Sequence, residues 1–80
     1  MKVYAVYKND TILNGKLFGL PEQAYDYFAE EFLKVYPNAK LENYAQELKK
    51  DLVESGSFSV QIESDGDEWG CKTYVDSAND

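Results

Sequence analysis

The apolar residues change period along the chain, and that change constrains the fold more than any other feature. At both ends apolar side chains alternate with polar ones. Between the ends they recur about every four residues. Alternation is the signature of a strand with one buried face, and the four-residue period that of an amphipathic helix. Segment 2–8 is rich in Val and Tyr and reads as a strand. Asn9-Asp10 is a turn, and 11–18 returns as a second strand, with Asn14-Gly15 marking a competing turn or bulge inside it. Pro21 suits a first helical position. Ala24, Phe28 and Phe32, extended by Val35 and Tyr36, form the stripe of the first helix, which Pro37 stops. Asn38 caps a second helix whose apolar face is Leu41, Tyr44, Ala45, Leu48 and Leu52, closed by Ser55-Gly56. Phe58, Val60 and Ile62 alternate in a third strand. Residues 64–68 turn, and Trp69, Cys71, Thr73 and Val75 line a fourth.

The predicted order is β-β-α-α-β-β. It gives an α+β fold, a four-stranded antiparallel sheet with both helices packed on one face. Short turns force each hairpin to be antiparallel, while the order of strands across the sheet is not fixed by the pattern. Residues 1–80 make a single domain, with a tail at 76–80 expected to fray. A chain of this size buries roughly 60–65% of its unfolded surface, and Cys71, its one cysteine, can form no internal disulfide to help. A lone thiol suits a reducing, cytoplasmic setting. The opening Met1-Lys2-Val3-Tyr4 carries no apolar leader, and no run approaches the ~18 apolar residues of a membrane span.

Fifteen Asp and Glu face eight Lys, for a net charge of −7, and Arg and His are absent. Nucleophiles activated by histidine, His-containing zinc sites and arginine clamps on phosphate are therefore excluded. No glycine-rich phosphate loop is present, and 63–68 is too short for a helix-loop-helix calcium site. Cys71 falls on an inward phase, where a thiol is inert. Neither catalysis nor a cofactor is expected. The net charge opposes direct contact with nucleic acid or anionic membrane and favours a basic protein surface.

The acids are gathered. Glu22, Asp26 and Glu30 follow at four-residue spacing on the first helix, about 6 Å apart at ~1.5 Å rise per residue. Glu47, Asp51 and Glu54 repeat the device on the second. Asp65, Asp67 and Glu68, with Glu63 beside them, crowd the last hairpin. Like charges at i, i+4 cost a helix roughly 0.2–0.5 kcal/mol each, and stability alone would set Lys between them. Such a row has a period similar to that of phosphates along a nucleic-acid strand, and carboxylates accept the same bidentate contacts. It would fit a channel lined by Lys and Arg. The plain alternative is that acidic helix faces keep a small domain soluble.

In size, acidity, lack of catalytic groups and compact α+β pattern, the chain resembles small phage-encoded inhibitors of host defence, of the anti-CRISPR and anti-restriction type. The residues behind the resemblance are Glu22, Asp26, Glu30, Glu47, Asp51, Glu54, Asp65, Asp67 and Glu68. It implies a non-enzymatic inhibitor, monomeric or a small homo-oligomer. Such an inhibitor mimics phosphates and binds a basic nucleic-acid-binding protein or ribonucleoprotein of the host, a nuclease or CRISPR effector.

Seven Tyr, four Phe and one Trp are many for this length. Phe28, Phe32, Phe58 and Trp69 fall at core phases. Tyr25 and Tyr27 flank Asp26 and are expected at the interface, since tyrosine buries area and keeps a polar tip. Lys2, Lys8 and Lys72 are placed with Tyr4 and Tyr74, joined by Lys16, on an outward sheet face. Two other readings compete: an adaptor that binds through an aromatic patch at Tyr25, Tyr27 or Trp69, and a domain that binds a small nucleotide.

Overall fold

The structure, a computed structural model, describes residues 2–75. Strand β1 (Lys2–Lys8) turns at Asn9 and Asp10 into β2 (Thr11–Ile12). Helix α1 spans Pro21–Val35 and α2 Ala45–Ser55, followed by β3 (Ser57–Gln61) and β4 (Glu68–Val75). The strands form one antiparallel sheet in the order β2-β1-β4-β3. The expected α+β architecture of four antiparallel strands and two helices is present, and the pairing β1–β4 settles how the hairpins join. The tail at 76–80 lies outside the described residues.

Strand β2 is shorter than the pattern predicts. Asn14 and Gly15 adopt positive φ (54° and 62°), so 13–15 coils into a 3-10 turn. Such angles suit Asn and Gly and end an extended strand. The chain rejoins the sheet only at Phe18, which exchanges two 2.8 Å backbone hydrogen bonds with Tyr4. The second helix also starts later than predicted. Leu41–Asn43 is a 3-10 turn, and Tyr44 precedes the first turn of α2 and is exposed. Gly56 takes the left-handed conformation (φ 84°) that ends α2, as Ser55-Gly56 foretold.

Along α1 the buried positions are Ala24, Tyr25, Phe28 and Phe32. Phe28 has no exposed surface and packs edge-on to Phe58, with ring centroids 5.0 Å apart. Phe32 meets Trp69 the same way at 5.3 Å. The buried Cys71 thiol donates weakly to the Ala24 carbonyl (3.8 Å), which holds α1 close to β4. Val6, Leu41, Leu52 and Phe58 complete the core beneath the helices. Burial pushes the Cys71 thiol pKa up to about 12, so little reactive thiolate exists near neutral pH.

The phase of β1 is the reverse of the sequence reading. Register pairs Val6 with Cys71 and Lys8 with Trp69, so Tyr4, Val6 and Lys8 face the helices. Val3, Ala5 and Tyr7 share the helix-free face with Gly70, Lys72 and Tyr74. The expected grouping of Lys8 and Tyr4 with Lys72 and Tyr74 is therefore corrected. On that open face the Tyr7 ring lies across Gly70. A Cβ at Gly70 would sit 2.2 Å from the Phe58 carbonyl oxygen and 2.6 Å from the Tyr7 hydroxyl oxygen. Gly70→Ala should destabilise the protein by about 2–3 kcal/mol through overpacking. Gly19→Ala, where a Cβ meets nothing within 4 Å, should shift stability by only a few tenths. Urea unfolding of both variants checks the contrast.

Candidate acidic interface and adjoining groove

The aromatic face of α1 sets the direction of its acids. At about 100° per residue, Glu22, Asp26 and Glu30 project opposite the stripe of Ala24, Phe28 and Phe32. All three are exposed. Glu22 lies in the first turn, where the positive end of the helix favours a carboxylate. Glu30 shares Lys34 with Glu31, at 3.8 and 2.7 Å. Glu22 and Asp26 make no ion pair among the described residues.

The acids of α2 point elsewhere. Lys49 faces α1, with its ammonium 5.1 Å from the Tyr25 ring centroid. Glu47, Asp51 and Glu54 lie round the helix on the side away from α1. Glu54 pairs with Lys50 at 3.9 Å. Glu47 and Asp51, one turn apart and without ion pairs among the described residues, border a groove of about 540 Å³ between α2, the 39–44 connection and β3. Its apolar lining includes Phe32, Leu41, Leu48, Val60 and Ile62. The two helical rows thus form two acidic faces and not one continuous surface.

The hairpin acids are drawn into local structure. The Tyr36 hydroxyl donates to Asp65 Oδ2 (2.6 Å), and the Asp67 backbone N–H donates to Asp65 Oδ1 (3.1 Å). Asp67 pairs with Lys8 at 3.6 Å and accepts from the Asn9 side-chain amide at 2.9 Å. The Glu68 backbone N–H donates to Asn9 Oδ1 (2.9 Å). These contacts tie the 64–68 turn to the Asn9-Asp10 turn, whose residues have positive φ (50° and 68°). Glu68 shares the outer sheet phase with Tyr7. There burial first, and then the Glu68 charge, raises the tyrosine pKa.

The two tyrosines expected at the interface are placed differently. Tyr25 is a core residue, only 5% exposed and stacked between Phe28 and Phe58. Its hydroxyl pKa is raised, first by burial and then by the neighbouring Asp26 charge. It presents no surface on which a partner could close. Tyr27 is half-buried, tilted against Phe18, and accepts a hydrogen bond from the Asn14 side-chain amide. Trp69, 2% exposed, belongs to the core and not to a rim.

The lysines explain why so many acids stay unpaired. Lys8, Lys16, Lys49 and Lys72 lie over the rings of Trp69, Tyr27, Tyr25 and Tyr7, at 4.7–5.2 Å from the centroids. Half of the eight cations are thus directed to aromatic faces, and three of those four make no ion pair among the described residues. Sequence spacing holds no sign of this, because each pair joins residues distant in the chain.

Among the described residues no group of three metal-ligating side chains is arranged to hold an ion, and no helix is long and apolar enough to cross a membrane. Comparison of the chain with protein-family models, with curated proteins and with solved structures finds no match.

The Asp65 carboxyl pKa is lowered, first by the Tyr36 hydroxyl and then by the Asp67 backbone N–H. A depressed native pKa contributes stability that is present above the unfolded value of ~3.9 and is lost as pH falls through the native value. Asp65→Asn should lose stability at neutral pH and show a shallower acid limb than the parent. Thermal unfolding at neutral pH and across the carboxylate range tests both parts.

Proposed function

We propose that this chain is a non-enzymatic inhibitor that docks the carboxylate row Glu22, Asp26 and Glu30 of α1 on the basic nucleic-acid channel of a partner protein. The concrete form is an inhibitor of host defence whose target is a nuclease or CRISPR effector. The observation that carries the reading is that Glu22 and Asp26, exposed on the solvent face of α1, make no ion pair among the described residues. A mimic of phosphate must keep its charge uncompensated until the partner's Lys and Arg arrive. Ion pairs made internally would have to be broken first, and both partners desolvated.

Two turns of regular helix place the three carboxylates at a nearly constant pitch of about 6 Å. Opposed fields bring such partners together faster than diffusion alone. The adaptor reading, centred on Tyr25, Tyr27 or Trp69, has lost most of its surface: two of its three aromatics are buried. The nucleotide reading needs gathered cations, and the lysines are dispersed over separate aromatic rings.

The test is binding of the purified chain to a panel of DNA-guided, RNA-guided and restriction nucleases, read by interferometry with duplex DNA as competitor. The parent should bind at least one member at low salt, compete with DNA, and weaken steeply between about 50 and 200 mM salt. Glu22→Lys, Asp26→Lys and Glu30→Lys should each cost at least about tenfold in affinity, or ~1.4 kcal/mol. Circular dichroism should remain unchanged, since all three are exposed. Full binding by the triple variant would remove this function.

A further inference from the structure

The sheet ends in an unguarded edge, and the groove beside it shows what kind of segment would cover it. Among the described residues strand β3 is the last in the order and pairs only with β4. The Ile62 N–H donates to the Asp67 carbonyl (2.8 Å), and the Thr73 N–H to the Gly56 carbonyl (2.8 Å). In an antiparallel ladder these bonds alternate. Gly56, Phe58, Val60 and Ile62 therefore turn their backbone groups to β4, and Ser57, Ser59 and Gln61 turn theirs outward. Natural edge strands are commonly blunted by charge, proline, a bulge or brevity. The sequence Ser57-Phe58-Ser59-Val60-Gln61 has no charged residue and no proline and keeps register over five residues. At the opposite edge β2 is only two residues long, and the Phe18 backbone covers Tyr4.

Beside this edge lies the groove of about 540 Å³. Its lining joins Ser59, Val60 and Ile62 to Leu41 and Leu48, with Glu47 and Asp51 above. A strand laid along β3 would send alternate side chains toward the helices, into this apolar space. Its flanking side chains would meet the two carboxylates. Among the described residues Lys40 is the only cation on the lining.

We propose that the free edge of β3 and the adjoining groove bind an extended, basic segment of a partner protein by strand addition. On its helix-facing positions the segment carries aliphatic residues flanked by Lys or Arg. Its backbone pairs with Ser57, Ser59 and Gln61, its aliphatic side chains fill the space beneath α2, and its cations meet Glu47 and Asp51. Charge selects this occupant over a second copy of the chain. Edge-to-edge pairing would bring together two molecules of charge −7, each with unpaired Glu47 and Asp51 beside the seam. The proposal involves other residues than the α1 row and stands or falls separately from it.

The probe is a short peptide with Val at its central and Lys at its terminal helix-facing positions and Thr between them, N-methylated on one backbone edge so that it cannot stack on itself. Titration into the labelled chain is followed by amide shifts and hydrogen exchange. The Ser57, Ser59 and Gln61 amides should gain at least about tenfold protection at saturation. An isomer methylated on the pairing edge should not bind. Ser59→Pro, which removes an outward N–H and leaves the β4 ladder intact, should abolish binding while the parent fold persists by amide spectrum. Glu47→Lys with Asp51→Lys should weaken it at least about tenfold. Three results would overturn the proposal. One is no shift at millimolar peptide. Another is equal binding by the two methylated isomers. The third is a sedimenting dimer whose β3 amides are already protected, which would assign the edge to self-association.

Discussion

The aromatic row on α1 is the contact on which the rest of the molecule depends. Tyr25, Phe28, Phe32 and Tyr36 follow one another along one side, with neighbouring centroids 4.8–5.8 Å apart. They close on Phe58 from β3 and Trp69 from β4. Pairs of this kind add roughly 0.5–1.5 kcal/mol each beyond the area they bury. No disulfide assists. The rings fix more than the position of α1, because they fix its rotation about its own axis. Once Phe28 and Phe32 are seated, Glu22, Asp26 and Glu30 have only the solvent side left. The geometry of the acidic row is a by-product of core packing.

Electrostatics is arranged around the same rings. A lysine seated over an aromatic ring near the surface contributes roughly 0.5–1 kcal/mol. That is comparable with an exposed ion pair. By placing Lys16, Lys49 and Lys72 over tyrosines, the chain stabilises its surface without spending those cations on carboxylates. Repulsion between Glu22 and Asp26 is small against the core terms and is partly relieved at the helix N-terminus. A fold can carry this uncompensated charge at little cost, so solubility alone does not demand its removal. The hairpin acids follow another logic. Asp65 is fastened to Tyr36 at the end of α1, and Asp67, held by Asn9 and Lys8, joins the two turns.

Much of the architecture was legible because most elements carry a single period and a clear stop. The stripe Ala24, Phe28, Phe32 starts after Pro21 and ends before Pro37, and the structure places α1 at Pro21–Val35. Gly56 closes α2, and alternation marks β3 and β4. Strand β1 resisted because it is central: Val6 is buried on one face, and Ala5 and Tyr7 on the other. When both faces are apolar, alternation does not tell which one meets the helices. Tyr25 was misplaced for a related reason. Beside Asp26 in sequence it reads as surface, yet the buried stripe is wide enough to take it in with Phe28. The groove was illegible because it arises from a local irregularity. The 3-10 turn at Leu41–Asn43 delays α2 and holds Leu41 at the end of the space that Leu48 and Val60 line.

The two edges of the sheet differ in what an incoming strand would meet. The β2 edge is closed by geometry, since the strand is short and the chain folds back at Phe18. The β3 edge has no such device in its own residues. An approaching second copy would meet the acidic surround, Glu47 and Asp51 beside the groove and the net charge of the whole molecule. Proline or bulges obstruct every incoming strand alike. A field of one sign obstructs only partners of that sign and attracts the opposite. Under the strand addition proposed above, such an edge would repel a second copy and admit a basic chain, so that one charge would both oppose self-association and set specificity.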